Sequence, residues 1–147
     1  MKKLFNRRAR FEYQLLKNFE AGIALTGAEV KSIKEGHLQL EDAFARFKEG
    51  ELWLTNAHIH PYRFAANENY DPYRDRKLLL HQQELRELSQ KTQAGGLTIV
   101  PVSCYTKGQQ IKLEIAIARG KKKYEKREAI KKKDLQREVE NQLKGGE

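Results

Sequence analysis

Residues 97–117 read LTIVPVSCYTKGQQIKLEIAI. Ile111, Leu113, Ile115 and Ile117 alternate with Lys112, Glu114 and Ala116, the period-two pattern of a strand with one buried face. Leu97–Tyr105 reads as the preceding strand, and Lys107-Gly108 makes the turn between them. Pro101 has no amide proton for a ladder, so part of that first strand belongs at an edge or a bulge.

Upstream, the same signals recur. Ala43–Phe47 and Leu52–Ile59 read as two strands joined at Lys48-Glu49-Gly50-Glu51, with Trp53 expected as the large core residue of the pair. Phe11–Leu15 and Gly22–Thr26 read as two short strands. Ala28–Lys34 fits two helical turns with Val30 and Ile33 inward and Gly36 beyond the end. Leu78-Leu79-Leu80 reads as the opening of a helix that runs to about Ala94, with Leu78, Leu85 and Leu88 on one face and Gly95-Gly96 ending it. Pro61–Asp75, rich in Asn, Asp and Tyr, reads as an irregular connection. The sum is a mainly β chain with short helices, about six strands paired antiparallel. Small β domains of this kind remove open edges by closing into a barrel, and an OB-like barrel that binds nucleic acid is one such solution.

The charge is unevenly spread. Arg119–Arg137, RGKKKYEKREAIKKKDLQR, holds ten Lys/Arg and three Asp/Glu, so it carries +7 of a chain total of +9. Such a block suits a polyanion. Apolar residues are few from here to residue 147, and only Leu135, Val139 and Leu143 form a narrow helical stripe. Ordering a residue's backbone costs about 1–2 kcal/mol, more than that stripe and its i,i+4 ion pairs return. Residues 119–147 are therefore expected to be a tail that is disordered when free and helical only against a partner, behind a folded body spanning residues 1–118. A solvated charged helix is the plainer alternative, against which stand the sign bias and Tyr124 among the lysines.

Length and composition exclude several classes. No apolar run approaches the roughly 20 residues that span a bilayer. MKKLFNRRAR is basic without an apolar stretch behind it, so no signal peptide is expected. A single cysteine, Cys104, excludes an internal disulfide and fits a reducing cytoplasm, with the thiol as a small core group. His58 and His60 are spaced to share a strand face, but a structural zinc site needs about four ligands, so surface histidines are the preferred reading; His37 and His81 are read as isolated. No nucleophile motif, phosphate-binding loop or sheltered acid–base pair is present, so neither catalysis, a cofactor nor a bound metal is expected. Three cationic groups stand out: Arg7, Arg8 and Arg10; Arg74, Arg76 and Lys77; and the tail. Tyr13, Tyr62, Tyr70 and Tyr73 are available to stack on bases, although at least half are expected to be ordinary core or rim residues.

NRRARFEY, FEAGIALTGAEVKSIKEG, DPYRDRKLLLH and RGKKKYEKRE, in this order and spacing, resemble the SsrA-binding protein family (small protein B) from Asn6 to about Arg137. The resemblance implies a six-stranded OB-like barrel with a tail unstructured in solution. It implies binding to the tRNA-like domain of transfer-messenger RNA and, with it, rescue of stalled ribosomes by trans-translation. The tail would enter the vacant mRNA channel of the small subunit and fold there as a helix near the decoding site. By motif, Asn6, Glu20 and Leu79 match family positions tied to the tRNA-like domain, and charge adds Arg7, Arg8, Lys31, Arg76 and Lys77. Glu20 repels phosphate, so it either accepts from a base amino group or a ribose 2′-OH, or serves as a turn-stabilising acceptor beside Gly22. In the tail, Gly120, Lys121 and Lys122 match the family's Gly-Lys-Lys, and Tyr124, Lys126 and Arg127 match its decoding-site segment. Glu125 stands where the family usually has Asp. A cytoplasmic monomer with RNA partners, no membrane contact and no metal is the implied picture. Three rivals remain: a general RNA-binding or ribosomal protein, an RNA-processing enzyme, and a protein adaptor using Leu135, Val139 and Leu143.

Overall fold

The structure, a computed structural model, describes residues 1–121. Lys122, Tyr124, Lys126, Arg127 and the Leu135/Val139/Leu143 stripe lie outside the described residues. The elements in chain order are β1 (Leu4–Phe5), α1 (Ala9–Glu12), β2 (Tyr13–Ile23), α2 (Gly27–Lys34), β3 (Leu38–Gln39), β4 (Phe44–Lys48), β5 (Glu51–Thr55), β6 (His58–Ile59), β7 (Arg76–Leu79), α3 (Gln82–Gln93), β8 (Thr98–Lys107) and β9 (Gln110–Gly120).

Six of these strands close on themselves in the order β8-β4-β5-β7-β2-β9, with β9 returning to β8 and every pair antiparallel. This is the six-stranded barrel expected from the sequence. β1 pairs with β8 outside the ring, and β3 with β6 forms a separate two-stranded sheet.

The alternation of β9 decides which side is inside. Ile111, Leu113, Ile115 and Ile117 fill the barrel with Phe19 and Ala21 of β2, Leu52 and Leu54 of β5, Leu78 of β7 and Ile99 of β8. Leu113 and Ile115 have no exposed surface, so truncating either to Ala should cost about 2–5 kcal/mol. Two of the three long strands, β2 and β8, carry a bulge that re-aims their side chains. In β8 the register shifts between Pro101 and Ser103, as the missing amide of Pro101 predicts. In β2 it shifts between Leu15 and Lys17. A second small cluster lies on the outer side, where Ala9 of α1 covers Val100 and Ala118.

Turn chemistry accounts for the connections. Glu49 and Gly50 join β4 to β5 with φ of 54° and 77°, the type I′ geometry whose twist matches paired strands. α2 begins with a capping box in which Thr26 and Glu29 satisfy each other's backbone amides. It ends at Gly36, φ 88°, where the Gly36 and His37 amides donate to Ile33 and Ser32 carbonyls in a Schellman motif.

Four sequence expectations change. Leu78-Leu79-Leu80 is not helical: Leu78 and Leu79 lie in β7, and the helix starts only at Gln82, with the His81 amide donating to the Glu84 carboxylate. Leu85 and Leu88 do share the inward face, with Leu88 fully buried. Phe11 and Glu12 sit in α1, and Tyr13–Ile23 is one bulged strand rather than the parts of two. Trp53 points outward from β5 between Leu52 and Leu54, under the ammonium of Lys48. β9 continues past Ala118: Gly120 pairs with Tyr13, and the Lys121 amide donates to the Glu12 carbonyl.

Candidate nucleic-acid interface

Residues that alternate with the core form the barrel's outer face. On β2, Glu20 and Gly22 point outward, because Phe19 and Ala21 point in. Gly22 stands opposite Leu79 of β7 on one side and Lys112 of β9 on the other. Lys77, two residues before Leu79, shares its face and reaches Glu51 at 3.2 Å. The structure thus brings Glu20, Lys77 and Leu79 onto one continuous outer surface.

Leu79 is half exposed, 51%, although it belongs to a barrel strand. Gly22 makes room for it. A Cβ placed on Gly22 would lie 3.3 Å from the Leu79 Cβ, closer than side chains comfortably pack. The site therefore pairs a residue without a side chain with an apolar group raised above the sheet.

Glu20 faces a problem of like charge, since Glu114 stands directly opposite it in β9. The two carboxylates are held apart by separate partners. Glu20 accepts from the Tyr105 hydroxyl and from Lys107 Nζ at 3.2 Å. Glu114 accepts from Asn18 Nδ2 and from Ser103 Oγ at 2.9 Å. The Tyr105 hydrogen bond, then Lys107, hold the Glu20 carboxyl below its ordinary range, so it is an ionised acceptor at neutral pH. The Tyr105 hydroxyl, partly desolvated and bonded to Glu20, is pushed up to about 12 and keeps its proton. Lys3 lies over the rings of both Phe5 and Tyr105, adding a cation to this edge. An oriented carboxylate beside Lys107 and Lys112, with Lys3 over the adjoining Tyr105 ring, can accept from a base or a ribose hydroxyl while its neighbours meet phosphates.

Tyr105, Lys107 and Lys112 were not singled out from sequence. The signal was present: if Ile111 and Leu113 point in, Lys112 points out, and Tyr105 follows from its register with it.

Asn6 is placed differently. It is 6% exposed, and its Nδ2 donates to the Leu40 carbonyl at 3.1 Å and the Pro101 carbonyl at 2.8 Å. Both amide protons are spent inside the protein, tying the start of the chain to the β8 bulge. Arg7 beside it is exposed, and Arg8 reaches Asp42 at 2.9 Å from an exposed position. Gly120 and Lys121 extend from the same end of β9, with Lys121 Nζ 2.7 Å from the Arg10 carbonyl.

Arg76 corrects the reading from charge. It is fully buried, so it is not part of a surface patch with Arg74 and Lys77. Its five N–H groups are all used within the protein: Nε and Nη2 on Glu29, Nη2 also on Tyr70 Oη, and Nη1 on the carbonyls of Ala57 and Pro72. Tyr70 belongs to this network rather than to a stacking surface. Lys31 is exposed on α2, over the ring of Tyr62.

The histidines are less isolated than the sequence suggested. His37 lies 5.7 Å from His60 between ring centroids, and His58 lies 4.9 Å from Tyr73. Among the described residues no group of three or more His, Cys, Asp or Glu is arranged to hold a metal ion. No described helix is long and apolar enough to cross a membrane. Cys104 is buried, and burial pushes its thiol up to about 12, consistent with an inert core group.

The sequence pattern of the family described as "SmpB protein" matches residues 4–145. The chain is 51% identical over 140 residues to the SsrA-binding protein of a Sulfurihydrogenibium species, spanning 95% of this chain and 92% of that one. It is 50% identical over 139 residues to the SsrA-binding protein of Carboxydothermus hydrogenoformans, spanning 95% and 93%. The structure is similar, with a TM-score of 0.69 and 48% identity over 82% of this chain and 85% of that chain, to a solved structure described as "tmRNA-SmpB: a journey to the center of the bacterial ribosome". Motif order, barrel topology and similarity along almost the whole length agree: the chain belongs to the SmpB protein family.

Proposed function

We propose that this chain binds the tRNA-like domain of transfer-messenger RNA through the outer face around Glu20 and Leu79, and acts with it in trans-translation on the ribosome. The observation that carries the reading is the pairing of a raised Leu79 with an oriented Glu20 on a surface supplied with Lys77, Lys107 and Lys112. A purely electrostatic RNA binder has no use for an exposed leucine or an ionised carboxylate at its centre; both confer shape and hydrogen-bond selectivity. Relatives about half identical over nearly the full length are SsrA-binding proteins, which supports the same partner.

Asn6 and Arg76 serve this function as positioning residues. Asn6 fixes β1 and α1 against β8, and Arg76 fixes the start of β7, the strand that carries Lys77 and Leu79. Arg7, Arg8 and Lys31 add cations around the barrel. The basic segment beginning at Gly120 and Lys121, with Lys122, Tyr124, Lys126 and Arg127, enters the vacant mRNA channel of the small subunit near the decoding site. Arg119–Arg137, at +7, fits a groove lined by ribosomal RNA that a polyanionic message otherwise fills. The barrel thus supplies RNA selectivity and the tail senses vacancy. The protein works as a non-catalytic cytoplasmic monomer without a cofactor.

The test is a comparison of transfer-messenger RNA with an elongator tRNA as ligands for the wild-type chain and for Leu79→Ala. The reading predicts selective binding that Leu79→Ala erodes. Equal affinity for both RNAs would instead make this a general RNA-binding barrel.

A further inference from the structure

Phe64 is 72% exposed, the most exposed large apolar side chain among the described residues. It is not a loose loop tip. The Tyr62 carbonyl accepts from the Ala65 amide at 3.1 Å and from Asn67 Nδ2 at 2.8 Å, which closes residues 62–67 into a fixed turn. Within that turn the Tyr62 and Phe64 rings meet edge to face, 5.5 Å between centroids. Each ring carries a cation: the Arg63 guanidinium lies 4.6 Å from the Phe64 centroid, and Lys31 Nζ, from α2, lies 5.6 Å from that of Tyr62.

An ordered, solvent-facing aromatic pair flanked by two cations is suited to one chemistry. A nucleobase stacks on the ring, and the cations meet the phosphates on either side. A protein partner with an apolar docking face would have to bury Arg63 and Lys31 alongside Phe64 without a counter-charge. A polyanion supplies that charge.

We propose that Tyr62, Phe64, Arg63 and Lys31 form a second RNA contact that holds one unpaired base against the Phe64 ring. It rests on the RNA-binding reading above but uses other elements, α2 and the turn after β6, rather than β2, β7 and β9. It also gives Lys31 a specific task as a phosphate neighbour of a stacked base. The unpaired base can come from transfer-messenger RNA outside its tRNA-like domain or from ribosomal RNA.

The experiment uses the full chain, wild type, Phe64→Ala, Phe64→Trp and Tyr62→Ala. Each is titrated against intact transfer-messenger RNA, against its isolated tRNA-like domain, and against small ribosomal subunits. Thermal midpoints for each variant report that the fold is kept. The proposal predicts that Phe64→Ala loses roughly tenfold in affinity for intact transfer-messenger RNA or for the subunits, while Phe64→Trp keeps wild-type affinity. Loss in the first arm assigns the base to transfer-messenger RNA, and loss in the subunit arm assigns it to ribosomal RNA. If Phe64→Ala and Tyr62→Ala both stay within twofold of wild type in every arm, the proposal is wrong. Wild-type failure to select transfer-messenger RNA would sink the primary reading instead, a result visible in the same titrations before any variant is compared.

Discussion

Arg76 places Nε 2.9 Å and Nη2 2.6 Å from one oxygen of Glu29, and both side chains are sealed from solvent. The pair joins α2 to β7 across 47 residues of sequence, and Arg74 closes on the other Glu29 oxygen. Because Glu29 also caps α2, one carboxylate sets the helix start and the strand that carries Lys77 and Leu79. Removing Glu29 strands the buried Arg76 charge, and removing Arg76 leaves the buried Glu29 with Arg74 alone; breaking a buried pair costs about 3–5 kcal/mol. Arg76→Met is therefore expected to shift the urea unfolding midpoint by a corresponding amount. Arg76→Lys should fall well short of rescue, since one ammonium cannot reach Glu29, Tyr70 and two carbonyls together. A loss under 1 kcal/mol for Arg76→Met would contradict the role given to this pair.

The same carboxylate sets a pH dependence. Burial pushes the Glu29 carboxyl up, but the Arg74 hydrogen bond, the Thr26 amide and Arg76 together outweigh it and leave the group below its ordinary value. A depressed folded-state pKa adds stability that is fully present above the unfolded value of about 4.3 and is lost as pH falls through the folded value. Unfolding midpoints should accordingly drop as pH is lowered from about 5 towards 3. Glu29→Gln, less stable at neutral pH, should show a shallower drop; equal slopes for the two proteins would remove Glu29 from the explanation.

Leu79 and Gly22 make a separable test of the recognition surface. Leu79→Ala removes an exposed group, so stability should change by no more than about 0.5 kcal/mol. RNA affinity should nevertheless fall by an order of magnitude. Gly22→Ala sets a methyl 3.3 Å from the Leu79 Cβ and should reduce affinity by displacing Leu79 even though Leu79 itself is retained. Isothermal titration against the tRNA-like domain, beside circular dichroism melts, distinguishes these effects. Full affinity in both variants would show that Leu79 is a bystander.

Tyr105 and Lys107 hold Glu20 by different means, and salt tells them apart. Tyr105→Phe removes a neutral donor, so affinity should drop with the salt slope unchanged. Lys107→Ala removes a cation, and the slope of log affinity against log salt should fall by about 1 if Lys107 meets a phosphate. An unaltered slope would confine Lys107 to the Glu20 contact.

Much of this architecture is written in local pattern. The uninterrupted alternation of Ile111–Ile117, the Glu49-Gly50 turn and the Pro101 bulge are all short-range signals, and each has its counterpart in the barrel. The errors fall where tertiary context decides. RKLLL is too short a run to separate strand from helix by period, and β7 becomes a strand because β5 and β2 lie ready to pair with it. Trp53 faces outward because Leu52 and Leu54 take the interior, a choice of phase that bulk alone cannot reveal. Arg76 reads as a surface cation until Glu29 is brought against it from far along the chain. The motif residues of the candidate face are visible as motifs, but their assembly through Gly22 and Tyr105 depends on strand register.

Barrel and tail are assigned separate tasks, and one pair of titrations separates them. The full chain and a version ending at Lys121, which keeps the Gly120–Tyr13 pairing, are measured against transfer-messenger RNA and an elongator tRNA over a range of salt. Rescue of stalled ribosomes is assayed in parallel. The shortened barrel should keep its selectivity for transfer-messenger RNA and lose rescue. If shortening abolishes the selectivity while the barrel remains folded, recognition resides in the tail and the role given to Glu20 and Leu79 is wrong.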